Sequence, residues 1–335
     1  MAKTVGVDLG TANTLICMKG AGIVVKSPSV VAINRETREI LTQGAAAKRM
    51  LGKTPTGIEA FRPLKDGVIT DAEVTANMLR NYFVHIGAIS TFSRPIVVAC
   101  IPYGVTEVEK QAMEEAAFRA GGRKVSLIEE PIAAALGSGL QVSGPRGMMI
   151  VDVGGGTTEV AVISLGGIVA SNSLRVAGDE LDEAIVSYLR QTRGVLVGST
   201  TAEELKIRIG SAHPDIDRGT WRVSGMNLRR RMGEIIEVSS GEIREATASA
   251  VDRIVLCIKH TLEQTPPELS SDLYDFGIML TGGGAMLPGL AALIHERTGV
   301  RVFVAKRPLE CVCNGILRVI NSEDGMGGLL RYRER

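Results

Sequence analysis

The sequence predicts an α/β protein of two lobes related by internal duplication. Three observations carry that reading. The chain has 335 residues, more than one typical domain needs. Residues 7–16, VDLGTANTLI, are echoed by residues 151–160, VDVGGGTTEV, with Asp8 matching Asp152, Gly10 matching Gly154 and Thr14 matching Thr158. Nearly all-apolar strand-like runs alternate with helical stretches that carry N-cap signals.

Along the chain, both echoed segments read as apolar strands that turn sharply at Gly and leave on a second β-rich run. Thr70-x-x-Glu73 predicts a helix start, with Val74, Met78, Tyr82 and Ile86 on one face. PIVVACIP, residues 95–102, and MMIVDV, residues 148–153, are apolar throughout, as strands covered on both faces must be. Thr106-x-x-Glu109 is a capping box whose helix stops at Gly121–Gly122. Pro131 suits the first turn of a helix over IAAAL. Ser239-x-x-Glu242 opens a long helix with a stripe of Ile243, Ala250, Ile254, Ile258 and Leu262, closed by Pro266–Pro267. Segments 32–75 and 183–240 are more polar and less regular, and read as insertions, one on each lobe.

Composition narrows the function classes. Hydrophobic residues make up 45% and charged residues 22%, which fits folded cores and excludes a disordered chain. Aromatics are 4% and the net charge is +1, so neither stacking platforms nor a strong field toward nucleic acid is present, and no nucleic-acid partner is expected. Cys17, Cys100 and Cys257 lie in apolar runs and read as small hydrophobes. Cys311-x-Cys313 has no second pair or His nearby, so a zinc site is not expected. An odd cysteine count and a strand that begins almost at the N-terminus favour a reducing cytoplasm. No apolar run reaches the roughly 18 residues that span a bilayer.

The chemistry concentrates in four places. A Gly-bearing hairpin exposes successive backbone N–H groups that can cradle phosphate oxygens. The Asp that ends the preceding strand would repel that anion unless Mg²⁺ sits between them. One such hairpin is ordinarily just a turn; two matched copies point to one phosphate ligand held between lobes. A third element, Thr281-Gly282-Gly283-Gly284-Ala285, follows a strand and permits close approach to a flat ligand. In the fourth, Glu129-Glu130-Pro131, an acid at a helix start either orients a water for phosphoryl transfer or complements the helix dipole.

VDLGTANTL, RPLKDGVITD, LIEEPIAAA, VDVGGGTTEVAVISLGG, RVAGDELDEAI, TAEELKIRIGSA, TPPEL and LTGGGAML resemble, in order and over nearly the whole chain, the MreB/Mbl family of bacterial actin-like proteins. The resemblance implies an actin-like fold: duplicated ribonuclease-H-like domains, two lobes and four subdomains around a nucleotide cleft. Lobe I would comprise 1–31, 76–146 and 307–335, with 32–75 as its insertion. Lobe II would comprise 147–182 and 241–306, with 183–240 as its insertion. It further implies ATP and Mg²⁺ as ligands. Thr11, Ala12 and Asn13 would touch phosphates in the first hairpin, and Gly154, Gly155, Gly156 and Thr157 in the second. Asp8 and Asp152 would hold Mg²⁺ through water. Glu130 would place the attacking water, with Thr157 and Asp152 assisting. Glu203 and Lys206 would reach ribose and adenine, Gly282, Gly283, Gly284 and Ala285 would wall the base, and Gly178, Asp179 and Glu204 would complete the nucleotide site. From the residues alone, Glu203 and Lys206 read as a solvent ion pair one helical turn apart.

The resemblance also implies a slow ATPase coupled to polymer dynamics: head-to-tail, paired filaments that organise cell-wall elongation and rod shape. They would lie at the inner face of the cell membrane, attached through a loop near Ile89 and Phe92 and working with the cell-wall elongation machinery. Departures from the family pattern are the basic Ala305-Lys306-Arg307-Pro308, the basic tail LLRYRER, three arginines within 227–232, and VCNGILRVI, which lacks the expected small-residue pattern. They leave a second reading open, a diverged paralogue acting as a low-activity nucleotide-binding scaffold. A third reading is an actin-fold small-molecule kinase, for which no acceptor motif is visible.

Overall fold

The computed structural model describes residues 2–90, 93–322 and 333–334. The chain opens with a meander, β1 (Thr4–Leu9), β2 (Asn13–Met18) and β3 (Gly22–Pro28). A small segment follows: β4 (Val31–Asn34), β5 (Ile40–Gln43), α1 (Ala45–Lys48), β6 (Ile58–Phe61) and the short hairpin β7 (Leu64–Lys65) and β8 (Val68–Ile69). Then come α2 (Ala72–His85), β9 (Ile96–Ile101), α3 (Glu107–Arg119), β10 (Lys124–Glu129) and α4 (Glu130–Ser138). The pattern repeats with a meander of β11 (Met148–Val153), β12 (Thr158–Ser164) and β13 (Gly167–Leu174), then α5 (Gly178–Arg193), β14 (Val195–Leu196), α6 (Ser199–Ile209), β15 (Thr220–Asn227) and β16 (Met232–Ser239). The end of the chain holds α7 (Ser240–Glu263), α8 (Pro267–Phe276), β17 (Ile278–Thr281), α9 (Leu290–Thr298), β18 (Val302–Val304), α10 (Cys311–Asn321) and β19 (Arg333–Glu334).

Two sheets organise these elements. One runs β19-β10-β9-β1-β2-β3 and the other β13-β12-β11-β17-β18. In each, an antiparallel three-strand meander joins parallel strands through the strand that ends in the echoed Asp: β1 pairs with β9, and β11 with β17. The duplication read from two ten-residue segments is therefore a duplication of topology. Two smaller sheets, β5-β4-β6 and β14-β15-β16, are built by the two polar segments.

Helix starts follow their caps. Thr106 and Ser239 each form a reciprocal capping box, with Glu109 and Glu242. Each such cap contributes about 1 kcal/mol. One start differs from expectation. The cap of α2 is Asp71, whose side chain accepts from Val74 N–H at 3.0 Å, while the Thr70 hydroxyl donates to Pro63 O instead. Asp and Thr compete at adjacent positions, and the extended backbone of Asp71 aims its carboxylate at the first turn. The third glycine run lies between a strand and a helix: after β17 the chain makes a 3₁₀ turn over Gly284–Met286, and α9 starts after Gly289.

Between the sheets, α4 and α10 cross at the base of a cleft, in a core with Leu15, Val98, Ile150 and Ala161. A Cβ on Gly137 would lie 1.7 Å from Cys311 O, and one on Gly315 1.8 Å from Ala133 O. The segment VCNGILRVI thus carries the small residue the crossing needs, at Gly315. The other core clusters pack α2 and α3 on the first sheet, and α7, α8 and α9 on the second.

Candidate functional site

The two echoed hairpins meet tip to tip. In the first, Gly10 N–H donates to Asn13 O at 3.0 Å; in the second, Gly154 N–H donates to Thr157 O at 2.8 Å. Each turn is braced from behind. Ser29 donates its N–H to Ala12 O and its hydroxyl to Gly10 O. At the second, Gly178 N–H and Asp179 N–H, at the start of α5, donate to Gly154 O and Gly155 O. The tips interlock: a Cβ on Gly155 would sit 2.6 Å from the Ala12 Cβ, and one on Gly156 2.7 Å from the Thr11 hydroxyl. Thr and Ala occupy the first tip, so the second must be Gly-Gly.

A cavity of about 500 Å³ opens between the lobes beside the meeting tips. Asp8, Thr11, Ala12, Asn13 and Glu130 line it from one lobe; Asp152, Gly154, Gly155, Gly156 and Thr157 from the other. Gly178, Asp179, Glu203, Lys206, Gly282, Gly283 and Gly284 also line it. Of the residues singled out in the sequence, two lie elsewhere. Glu204 is exposed and does not line the cavity, and Ala285 is buried in the core behind it. Glu203 and Lys206 are not paired with each other. Glu203 pairs with Lys48 at 2.7 Å, whereas Lys206 pairs with Asp182 at 2.8 Å and donates to Gly178 O. The Lys48 contact spans from α1 to α6, and Arg62–Asp179 at 2.5 Å makes a second such bridge.

Sequence reading missed several lining residues. The most informative is Gly67. The β7–β8 turn puts Asp66 and Gly67 at positive φ, 51° and 76°, and Gly67 N–H donates to the Thr11 hydroxyl at 3.0 Å. The signal was present, since an Asp-Gly pair between two short β-prone runs favours a tight hairpin with both central residues at positive φ. Arg218, Met286, Pro308 and Val312 also line the cavity and carry no motif. The departure at 305–308 thereby borders the site, and Pro308 O accepts from Gly282 N–H.

Electrostatically the floor is a cluster of carboxylates, Asp152 and Glu159 buried and Asp8 and Glu130 half-buried. Burial, reinforced by the charge of Asp152, pushes Asp8 up to about 7. Asp152 is also raised by burial, opposed by the Thr281 hydroxyl, which donates to its Oδ1 at 2.6 Å. Burial raises Glu130 well above the carboxylate range, with Glu159, Asp8 and Asp152 adding to it. Glu159 rises to about 7 through burial, although it accepts from Ser173 and from Tyr103 N–H. Packing acids this closely, partly withdrawn from water, is costly unless a cation joins them. The donor set of Asp8 and Asp152, hard oxygens beside two loops of amides, fits Mg²⁺ with a polyphosphate. Among the described residues no group of three or more His, Cys, Asp and Glu is placed to hold a metal ion.

The chain is similar to known proteins over nearly its whole length. The profile of the family described as MreB/Mbl protein matches residues 2–327. The cell shape-determining protein MreB of Escherichia coli is 48% identical, covering 99% of this chain and 97% of its own length. The cell shape-determining protein Mbl of Bacillus subtilis is 44% identical over 96% and 97%. The crystal structures of MreB5 of Spiroplasma citri bound to ADP and to AMPPNP superpose with TM-scores of 0.91 and 0.90, at 34% and 35% identity. They cover 98% and 96% of this chain, and it covers 99% and 97% of theirs.

Proposed function

The chain belongs to the MreB/Mbl family and has its actin-like fold, and from that premise we propose that it is an ATP-hydrolysing filament protein that determines cell shape. The observation that carries the nucleotide reading is the meeting of two Asp-x-Gly hairpins across one cavity, with the charge of Asp152 near enough to help raise Asp8. ATP fits this cleft with its phosphates on the amides of 11–13 and 154–157 and its base toward Gly282–Gly284. Asp8 and Asp152 would hold Mg²⁺ through water, and the bound ion supplies charge neutralisation for the phosphates.

Glu130, at the N-terminus of α4, places the attacking water. Its raised pKa makes it a stronger proton acceptor than a solvated carboxylate once ionised. Thr157, across the cleft, assists. Glu203, Lys206, Gly178 and Asp179 border the ribose and base end, with Lys206 held by Asp182. Glu204 is left out, being exposed. The four subdomains proposed are those with the boundaries given above; the two small sheets, β5-β4-β6 and β14-β15-β16, support an insertion on each lobe, while the bounds 31/32 and 75/76 fall inside β4 and α2.

Such a protein assembles head to tail, because a heterologous contact extends without closing. Nucleotide bridging the lobes favours the polymer-competent arrangement, and slow hydrolysis weakens it. Filaments, paired, would lie on the cytoplasmic face of the membrane and organise the wall-elongation machinery. The attachment loop near Ile89 and Phe92 is part of the proposal; Ile89 is half-buried against the first lobe's core, and Phe92 lies outside the described residues. No described helix is long and apolar enough to cross a membrane.

The test is electron microscopy with ATP–Mg²⁺, with and without lipid, beside phosphate release. Filaments and a slow release independent of added sugars are expected. Glu130→Ala should lower release at least about a hundredfold while ATP still binds. Absence of filaments in both conditions, or unchanged release in Glu130→Ala, would overturn the reading.

A further inference from the structure

Between Asp8 and Glu130 stands a side chain that the sequence presented as a small hydrophobe. Cys100 is the penultimate residue of β9, the strand between β1 and β10. The register sets Cys100 opposite Ile128 of β10, and its neighbour Ala99 opposite Val7 of β1. Three parallel strands thus end side by side, carrying Asp8, Cys100 and, one residue past β10, Glu130. Cys100 is 2% exposed, and its thiol lies 3.4 Å from Asp8 Oδ1 and 3.7 Å from Glu130 Oε1, in donor geometry to both. Every other residue from Ile96 to Ile101 is Val, Ile or Ala, so the one polarisable atom of the strand falls where it touches two carboxylates.

A thiol suits that place chemically. It is neutral at pH 7 by its ordinary range. It has one weak donor proton and a sulfur that accepts weakly, so it can bond either carboxylate without competing with a cation for them. A hydrocarbon there would leave both acids without a donor from β9, and a charged group would bind one of them outright.

We propose that Cys100 is a positioning residue for hydrolysis: its thiol holds the Glu130 carboxylate at a set separation from Asp8, so that the water-placing acid and the cation-holding acid keep distinct places. This rests on the ATPase reading above. The side chain touches neither nucleotide nor water in that scheme; it acts through Glu130.

The experiment compares wild type, Cys100→Ala and Cys100→Ser for kcat, KM for ATP and Mg²⁺ half-saturation. Cys100→Ala should lower kcat about tenfold with KM and Mg²⁺ half-saturation within about twofold. Cys100→Ser, which keeps a donor, should return kcat to within about threefold of wild type. Wild-type kcat in the Ala variant would overturn the role, as would a Ser variant as slow as Ala, since cavity shape alone would then be responsible. If wild type itself releases no phosphate, the ATPase reading falls and this inference with it; if wild type is active and Ala equals it, only the role of Cys100 falls. A second readout needs neither turnover nor a stable Ala variant at this position. In nucleotide-free protein the Cys100 S–H stretch, identified by difference from Cys100→Ser, should move to higher frequency in Glu130→Ala. An unmoved band overturns the contact.

Discussion

The two phosphate hairpins make the same turn with different supports, and the difference shows how a duplicated unit becomes asymmetric. The Gly10 and Gly154 turns close with equivalent hydrogen bonds, and Thr14 and Thr158 are both fully buried behind them. But Thr14 bonds Ser29 on the meander, whereas Thr158 bonds Val176 O just before α5. Asp8 has the weak Cys100 thiol beside it; Asp152 has the stronger Thr281 hydroxyl. At the tips, Thr11 and Ala12 face Gly155 and Gly156 because there is room for only one set of side chains. Each copy has specialised around the space left by the other.

The sharpest way to break this comparison is to give the second tip side chains too. Gly155→Val would drive a branched side chain into Ala12, so ATP affinity should fall at least about a hundredfold by equilibrium binding. Ala12→Gly in the same chain should recover part of it. Full affinity in Gly155→Val would mean that the tips do not meet.

The acids come next. Asp8 titrates at about 7 when folded against 3.8 ordinarily, so the folded state keeps its proton longer than the unfolded chain. A raised carboxylate contributes stability that is complete below about 4 and is lost as pH rises toward 7. In chelator-treated, nucleotide-free protein, Asp8→Asn should therefore leave the Tm at pH 4 nearly unchanged and raise it at pH 7.5. The gain has an upper limit of about 4 kcal/mol. A lower Tm than wild type at pH 7.5 would contradict the raised titration of the half-buried Asp8.

The smallest effect concerns the two acids' unequal partners. Thr281→Ala removes a buried donor from Asp152 and should weaken Mg²⁺–ATP binding about five- to tenfold, the net worth of one ordinary hydrogen bond. Equal affinities in the two proteins would show that the Thr281 hydroxyl does not set the Asp152 carboxylate.

What the residues declared by themselves was local and periodic. The echo of VDLGTANTLI in VDVGGGTTEV announced the duplication, and the capping boxes at Thr106 and Ser239 fixed their helix starts, since each needs only neighbours within four residues. Where two local signals competed, as at Thr70 and Asp71, backbone geometry chose, and spacing could not foresee it. The positions that only the tertiary structure decided are those where distant segments meet: the Asp66–Gly67 turn on Thr11, Lys206 on Asp182 rather than Glu203, Gly315 against α4, and Cys100 between two acids. Hydrophobic and hydrogen-bonding preferences along a chain say that a side chain must find a partner. Which partner it finds depends on which strand ends and helix faces the closed fold brings within a few ångströms.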